Sequence, residues 1–579
     1  MFRSARFLFV ALLVTAAPIR SQVPEDIGVR SRDGLVVCVS APACDVGAAV
    51  LARGGNAVDA AVATSFALAV THPAAGNIGG GGFMIVRTPT GELTSFDYRE
   101  KAPLGSTRTM YLGANGTIDR GLTEAGYLAS GVPGSVRGLE LAHKKLGKLP
   151  WKDVVQPAVV LAEQGFPLSA ALARSLNAEV AGPMARFAAS VGAYGKRGGG
   201  LWSEGDRLVL SDLSRTLRAI ADGGADAFYT GPIADLIAAD MKANGGLISK
   251  EDLAAYRAVE RAPVRGTYRG HDIVSMAPPS SGGVALIEML NILEQFDLKT
   301  KGRYSAASLH LQIEAMRRAY LDRARHLGDP DFVEVPIARL TSKEYAKTLA
   351  AGIDPNKASS SVELGREIVT DPPAEPEETT HFSVIDRHGM AVSSTTTLEG
   401  GYGSHVVVKG AGFLLNNEMG DFNKKPGDTN TRGDIGTPAN LIDPGKRMLS
   451  SMTPTMVLKD DKVLLLTGSP GGRTIINTVL TVVLGVTDFG LRGRQAVDAA
   501  RMHHQWLPDT VRIERDGVSA DVLAELKRMG HDVSMGGRQG DAHTIWVGRD
   551  GTPYGANDRR SPDSKASTPG SLTSDSARR

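Results

Sequence analysis

The sequence predicts an α+β protein, on three observations. Residues 104 to 270 are mainly helical in pattern. After Thr379 the pattern turns strand-rich, with β-branched residues in short runs. Between the two lies Asp371-Pro372-Pro373-Ala374-Glu375-Pro376-Glu377-Glu378, whose prolines favour an extended, exposed loop.

Taken in order, Val36 to Ser40 reads as a short apolar strand, and Ala43 to Arg53 as a helix stopped by Gly54-Gly55. Asn56 is placed to cap the next helix, Ala57 to Val70, which is apolar nearly all round and is therefore expected to be buried. Gly76-Asn77-Ile78-Gly79-Gly80-Gly81-Gly82 then leads into a strand; its glycines let backbones approach closely. It lacks the Lys-Ser/Thr of a phosphate loop and precedes a strand, not a helix, which argues against phosphate binding. Thr94 to Tyr98 continues as a strand and delivers Arg99 and Glu100.

Helices are expected over Val136 to Leu146, Trp151 to Glu163 and Asp252 to Tyr256. After the turn Pro278-Pro279-Ser280-Ser281-Gly282-Gly283, the stripe Leu286, Met289, Leu290, Leu293 marks a core-facing helix, with the two serines as caps. Leu309 to Leu327 is a long helix stopped by Gly328-Asp329-Pro330. His381 to Ile385 and Ala391 to Leu398 flank the turn Asp386-Arg387-His388-Gly389, a hairpin that folds Thr397 back toward Thr379. Lys462 to Leu466 is a strand, Thr474 to Leu484 a helix, and the Ser/Pro/Gly-rich tail from 562 to 579 reads as disordered. No repeat of solenoid period occurs.

Lysine and arginine total 65 against 63 acids, a net charge of +2, so no basic surplus suggests a nucleic-acid partner. Arg3 and Arg6 precede the apolar run Phe7 to Val14 and the small residues Thr15-Ala16-Ala17, the make-up of an export signal; it is assigned to residues 1–22 and predicts a periplasmic or secreted protein. Only Cys38 and Cys44 occur. Export permits a disulfide, but two cysteines make neither a framework nor a zinc site, and both are expected as small apolar core residues.

The chemistry centres on Glu378-Thr379-Thr380-His381. If the Glu378–Thr379 bond were cut, Thr379 would carry a hydroxyl and a free α-amine on adjacent atoms, and the amine could activate the hydroxyl as a nucleophile. An α-amine has an ordinary pKa of about 7.7–8.0, so near neutral pH much of it accepts protons. The alternative is an ordinary edge strand after a loop. Glu418 and Asp421 are two acids three residues apart, which suits acid–base work, a metal or a cation. The adjacent His503 and His504 point to different faces, and no histidine cluster supports a metal. Gly468-Ser469-Pro470-Gly471-Gly472 lies between a strand and a helix, where backbone N–H groups attract negative charge.

These separated motifs together resemble the γ-glutamyltransferases (γ-glutamyltranspeptidases) of the N-terminal-nucleophile hydrolase group. The resemblance runs from about Gly34 to about Asp563. It implies a four-layer αββα sandwich and self-cleavage before Thr379 into two intertwined chains, 23–378 and 379–561. It makes Thr379 the nucleophile, Thr397 its hydroxyl support, and Gly471 and Gly472 the oxyanion donors. Arg99, Ser450 and Ser451 would hold a substrate α-carboxylate, and Asp421, Glu418 and Glu399 its α-amine. The family often has Asn at the position of Glu399, and either Gln or Glu at that of Glu418. A lid is implied between Lys425 and Arg447, but Arg432 stands where many members carry an aromatic gate. The implied donor is glutathione or another γ-glutamyl compound, and the acceptor water, an amino acid or a peptide, with no cofactor or metal. Two rivals stand beside this: a same-fold β-lactam side-chain acylase, and a silent exported protein that binds γ-glutamyl compounds.

Overall fold

The computed structural model describes residues 26–369, 379–515 and 517–571. The predicted export segment and cleavage loop lie outside them.

Strand Gly34–Cys38 is buried on both faces, and its alternate residues join two different cores. Val36 and Cys38 pack among helices Ala41–Ala52 and Ala57–Thr71, whereas Leu35 and Val37 face Val274, Leu465 and Ile545 of another sheet. Strand Gly81–Arg87 divides in the same way, with Met84 and Val86 toward the helices and Phe83 and Ile85 toward the other sheet. Period-2 burial against unlike neighbours dictates a helix layer, two sheets and a further helix layer. The second helix layer is Gly282–Leu293, Ala306–His326 and Thr474–Thr487. The four-layer sandwich is therefore observed.

One sheet runs Lys565–Ser567, Gly34–Cys38, Thr380–Asp386, Ala391–Thr397, Gly81–Arg87, Leu93–Asp97, Val259–Arg261. The other runs Val29–Arg30, Pro553–Ala556, Thr544–Val547, Lys462–Thr467, Thr455–Lys459, His271–Ser275, Val264–Tyr268. Each takes strands from both sides of residue 378. A cut there would leave two pieces sharing both sheets, so neither piece is a separate domain.

The expected hairpin forms, with Thr380 opposite Thr396 and Ile385 opposite Ala391. Its turn is held by Asp386, whose Oδ1 accepts from the N–H groups of His388 (2.8 Å) and Met390 (3.1 Å). Asn56 caps its helix as expected, with Asp59 completing a reciprocal box. The glycine run does allow close approach: a Cβ on Gly80 would collide with the Thr397 carbonyl, and one on Gly82 with that of Thr395.

Three expectations need correction. Cys38 and Cys44 are fully buried, as expected, but joined in a disulfide; the turn from strand to helix brings their Cα atoms to 5.8 Å, within bridging range. The tail is ordered at least as far as Ser571: Lys565–Ser567 adds to the edge of Gly34–Cys38, and Lys565 Nζ and Ser567 Oγ both bond Asp45 at 2.7 Å. An open sheet edge plus one carboxylate outweighs a disorder-prone composition. Ser281, expected as a helix cap, makes no side-chain cap bond. Among the described residues no helix is long and apolar enough to cross a membrane.

In the outer helix layer, buried Glu288 faces buried Asp322, which also accepts from Tyr345 Oη at 2.5 Å. Burial first, then the Asp322 charge, pushes the Glu288 carboxyl well above its ordinary 4.5. A raised folded pKa stabilises fully below the unfolded value, and that contribution fades as pH rises through the folded value. Wild-type stability is therefore expected to decline with pH above the ordinary carboxylate range. Glu288→Gln, which cannot ionise, should flatten that slope in urea melts between about pH 5 and pH 8. Equal slopes in the two proteins would show that Glu288 is ionised.

Candidate active site

Thr379 lies at the head of strand Thr380–Asp386 and is 9% exposed. The hairpin sets its Oγ1 3.4 Å from Thr397 Oγ1, which accepts the Glu399 N–H at 2.7 Å. Asn77, from the glycine run, donates to the Thr397 carbonyl at 2.8 Å and so fixes that strand end. His381 is no candidate base. It is fully buried, its Nδ1 lies 2.9 Å from Thr395 Oγ1, and burial holds its pKa well below 6.5.

Thr379 opens onto a cleft of about 650 Å³ that Gly471 also lines. Gly471 and Gly472 have φ of +121° and +47°, and a Cβ on Gly471 would collide with Thr474 Oγ1. Their carbonyls accept from Thr474 and Ile475 as the helix Thr474–Thr487 begins. Neither glycine's N–H has a protein acceptor among the described residues, and of the two Gly471 lines the cleft, where its N–H is available to a ligand oxygen.

The second cluster forms around Arg99, which is 1% exposed. Its guanidinium pairs with Glu418 Oε2 at 2.6 Å and with Glu100 Oε2 at 3.4 Å, and contacts Asp421. It also donates to the carbonyls of Met448 and Leu449, each at 3.3 Å. One cation thus faces three carboxyl groups. Burial pushes Glu100 up to about 7 and Glu418 well above 4.5, with Arg99 pulling both back. Only Asp421 of the three is substantially exposed, its side chain at 34%, and it borders a narrow cavity of about 20 Å³ with Asn423, Leu449 and Arg473. Glu399 is half-buried and adds its charge to the field at Glu418.

Ser450 and Ser451 follow directly on the carbonyls that Arg99 holds, but their hydroxyls are engaged elsewhere. Ser450 Oγ accepts the Met452 N–H at 3.1 Å, and Ser451 Oγ takes a bond from Arg323 at 3.1 Å. Ser280 and Ser281 clamp this loop: Ser280 Oγ donates to the Met452 carbonyl at 2.6 Å and Ser281 Oγ to that of Ser450 at 2.7 Å. Ser281 does this in place of capping, whereas Ser280 Oγ also accepts the N–H of Gly282, the first helix residue, at 3.0 Å.

Three residues beyond the predicted set belong to the site. Glu100 shares Arg99. Arg473 borders both the cleft and the narrow cavity, and Arg512 lines the cleft. The position of Arg473, next to Gly471-Gly472, was a readable signal; nothing in the sequence around Arg512 marked it. Arg432 also lines the cleft, at the tip of a loop closed by Gly427 N–H on the Gly436 carbonyl at 2.8 Å. Among the described residues His310, Glu314 and His531 are close enough to share an ion. Glu314, however, already accepts from Arg317 (3.2 Å), Arg318 (2.5 Å) and Ser359 (2.6 Å). His503 and His504 bond Asn477 and Asp509, away from each other.

Comparison with known proteins matches the Gamma-glutamyltranspeptidase family profile to residues 43–568. The chain is 48% identical to the glutathione hydrolase proenzyme of Escherichia coli (strain K12), over 95% of this chain and 94% of that protein. It superposes on a cephalosporin acylase from Bacillus halodurans with a TM-score of 0.81 at 27% identity, covering 97% of this chain and 99% of that one. A Helicobacter pylori γ-glutamyltranspeptidase structure aligns with a TM-score of 0.54 at 46% identity, covering 55% of this chain and 91% of that one.

Proposed function

The chain belongs to the γ-glutamyltranspeptidase family and is an enzyme of γ-glutamyl transfer and hydrolysis, and on that premise we propose a mechanism centred on Thr379. Self-cleavage of Glu378–Thr379 frees the threonine amine, leaving chains 23–378 and 379 onward. Thr379 Oγ1 attacks the γ-glutamyl carbonyl while that amine takes its proton. The N–H groups of Gly471 and Gly472 receive the oxyanion. The leaving amine departs, and water or an amine acceptor resolves the acyl-enzyme. Glutathione is the proposed donor. The observation that carries this reading is the Thr379–Thr397 hydroxyl pair opening onto a cleft bordered by Gly471.

The donor's head group is proposed to insert at the Arg99–Asp421 contact. Its α-carboxylate takes the Arg99 fork and its ammonium takes Asp421 and Glu418, each charge of the zwitterion meeting its opposite. Ser450, Ser451 and Glu399 complete this pocket after a local shift of their hydrogen bonds. Residues 1–22 are proposed to direct export.

Intact mass of the wild-type protein tests the reading: two chains, the smaller beginning at Thr379 and gaining a γ-glutamyl group when incubated with donor. One uncut, unmodified chain would defeat it. The superposition on a cephalosporin acylase favours a second reading, acylase activity on glutaryl side chains. Competition by free glutamate separates them, because the charged α-amino head should compete only at a γ-glutamyl site.

Burial favours a proton on Glu418 in the empty site, and an arriving ammonium favours the carboxylate. Donor binding should therefore expel that proton, so donor KM is expected to fall as pH rises above the ordinary carboxylate range. Glu418→Gln should remove this limb of the profile. A wild-type KM independent of pH would exclude Glu418 from ammonium binding.

A further inference from the structure

The cleft beside Thr379 is strongly cationic. Arg432, Arg473, Arg512 and Arg538 line it, against Asp541 as the one carboxylate among its described residues. Its histidines add no charge near neutral pH: burial lowers His72 to about 4 and His503 to about 3. The arginines differ in their commitments. Arg473 donates to the Gly433 carbonyl at 3.0 Å and Arg538 to that of Arg560 at 2.7 Å. The side chains of Arg432 and Arg512 have no hydrogen-bond or ion-pair partner among the described residues, and both are exposed to the cleft solvent.

Arg512 is placed by register. A small sheet joins Met502–His503, Val511–Glu514 and Val533–Gly536, with His503 opposite Arg512 and Arg512 opposite Ser534. All three residues line the cleft, so one face of that sheet is its wall and Arg512 the wall's centre. Arg432 stands on the lid loop. Two arginines from unrelated elements thus face one solvent space that contains the nucleophile. The α-carboxylate of the γ-glutamyl donor is already provided for at Arg99, in a separate cluster. The cleft charge is therefore free for the other half of the reaction.

We propose that Arg512 and Arg432 form a subsite for the carboxylate of the amine partner: the leaving peptide on the way out and a carboxylate-bearing amino acid or dipeptide on the way in. This rests on Thr379 being the acylated residue. In the transfer step the acceptor nitrogen forms a bond to the γ-glutamyl carbonyl carbon as the ester bond to Thr379 Oγ1 breaks. The acceptor's proton passes through the Thr379 amine to Oγ1. Binding the acceptor's carboxylate to the cleft arginines holds its amine over the ester and gives the enzyme charge selectivity among amines.

The test uses the processed wild-type enzyme, Arg512→Gln, Arg512→Lys and the double variant Arg432→Gln/Arg512→Gln. The readout is a ratio of kcat/KM values: glutathione against a γ-glutamyl anilide as donors, and glycylglycine against glycylglycine amide as acceptors. Each pair differs in whether the amine partner carries a carboxylate. Both ratios are expected to fall about tenfold or more in the double variant, with Arg512→Lys largely restoring them. Added salt should lower the wild-type ratios toward those of the double variant. Ratios unchanged by substitution, or both members of each pair falling equally, would overturn the proposal. A wild-type enzyme that turns over neither donor would instead overturn the Thr379 reading.

Discussion

Thr379→Ala is expected to leave one uncut chain and to reduce γ-glutamyl turnover to background. The substitution removes the same oxygen from two reactions. In the proposed mechanism that oxygen attacks the carbonyl of Glu378 in the precursor and the γ-glutamyl carbonyl in the mature enzyme. Loss of a hydrolase nucleophile costs on the order of 10⁶ in kcat where it has been measured. The fold should survive, because Thr379 precedes the first paired residue of its strand. Thr379→Ser separates the two roles of the side chain. It keeps the oxygen and drops the methyl group, so cleavage and turnover should persist, slowed by freer rotation of the hydroxyl. A cut, active Thr379→Ala protein would show that another residue is the nucleophile.

What could be read from the sequence depended on the distance along the chain between cooperating groups. Thr379 and Thr397 are joined by one hairpin, and Gly471 and Gly472 precede a helix, so periodicity and turn chemistry placed them in their elements while family resemblance supplied their roles. The Arg99 cluster unites residues more than three hundred positions apart, and only family resemblance grouped Arg99 with Glu418 and Asp421. Glu100 was passed over because a carboxylate beside an arginine reads as a surface pair; in the fold it is fully buried. The Cys38–Cys44 bridge depended on how sharply the chain turns at Ser40, which composition does not encode. The layer order was hidden for a related reason. A strand buried on both faces is a plain apolar run, without the alternation that would show which side meets helices. Arg512 looked like any charged residue on a short strand until the register set it between His503 and Ser534.

Arg99→Lys is expected to lower donor kcat/KM by about a hundredfold, close to 2.8 kcal/mol, with most of the effect in KM. The magnitude follows from geometry. Arg99 holds two backbone carbonyls and reaches three carboxyl groups from one planar fork, whereas an ammonium on a flexible stem has three donors and no plane. Lysine would keep the charge while losing the two-point grip on an α-carboxylate, so a pocket that needed only charge would be unaffected. Arg99→Met tests the other half of the cluster. It strands buried acids, a change that typically costs about 3–5 kcal/mol when they must stay ionised. Here burial already favours protons on Glu100 and Glu418, and both can neutralise instead. The stability loss in Arg99→Met should therefore be small at low pH and grow as pH rises through the range where those acids ionise. Urea melts at several pH values measure it, and a loss independent of pH would mean that Arg99 stabilises the fold through packing and its carbonyl bonds alone. A wild-type donor KM in Arg99→Lys would move the α-carboxylate away from Arg99, leaving Arg473, which borders both cavities, and Arg323, which bonds Ser451, as the cations to examine.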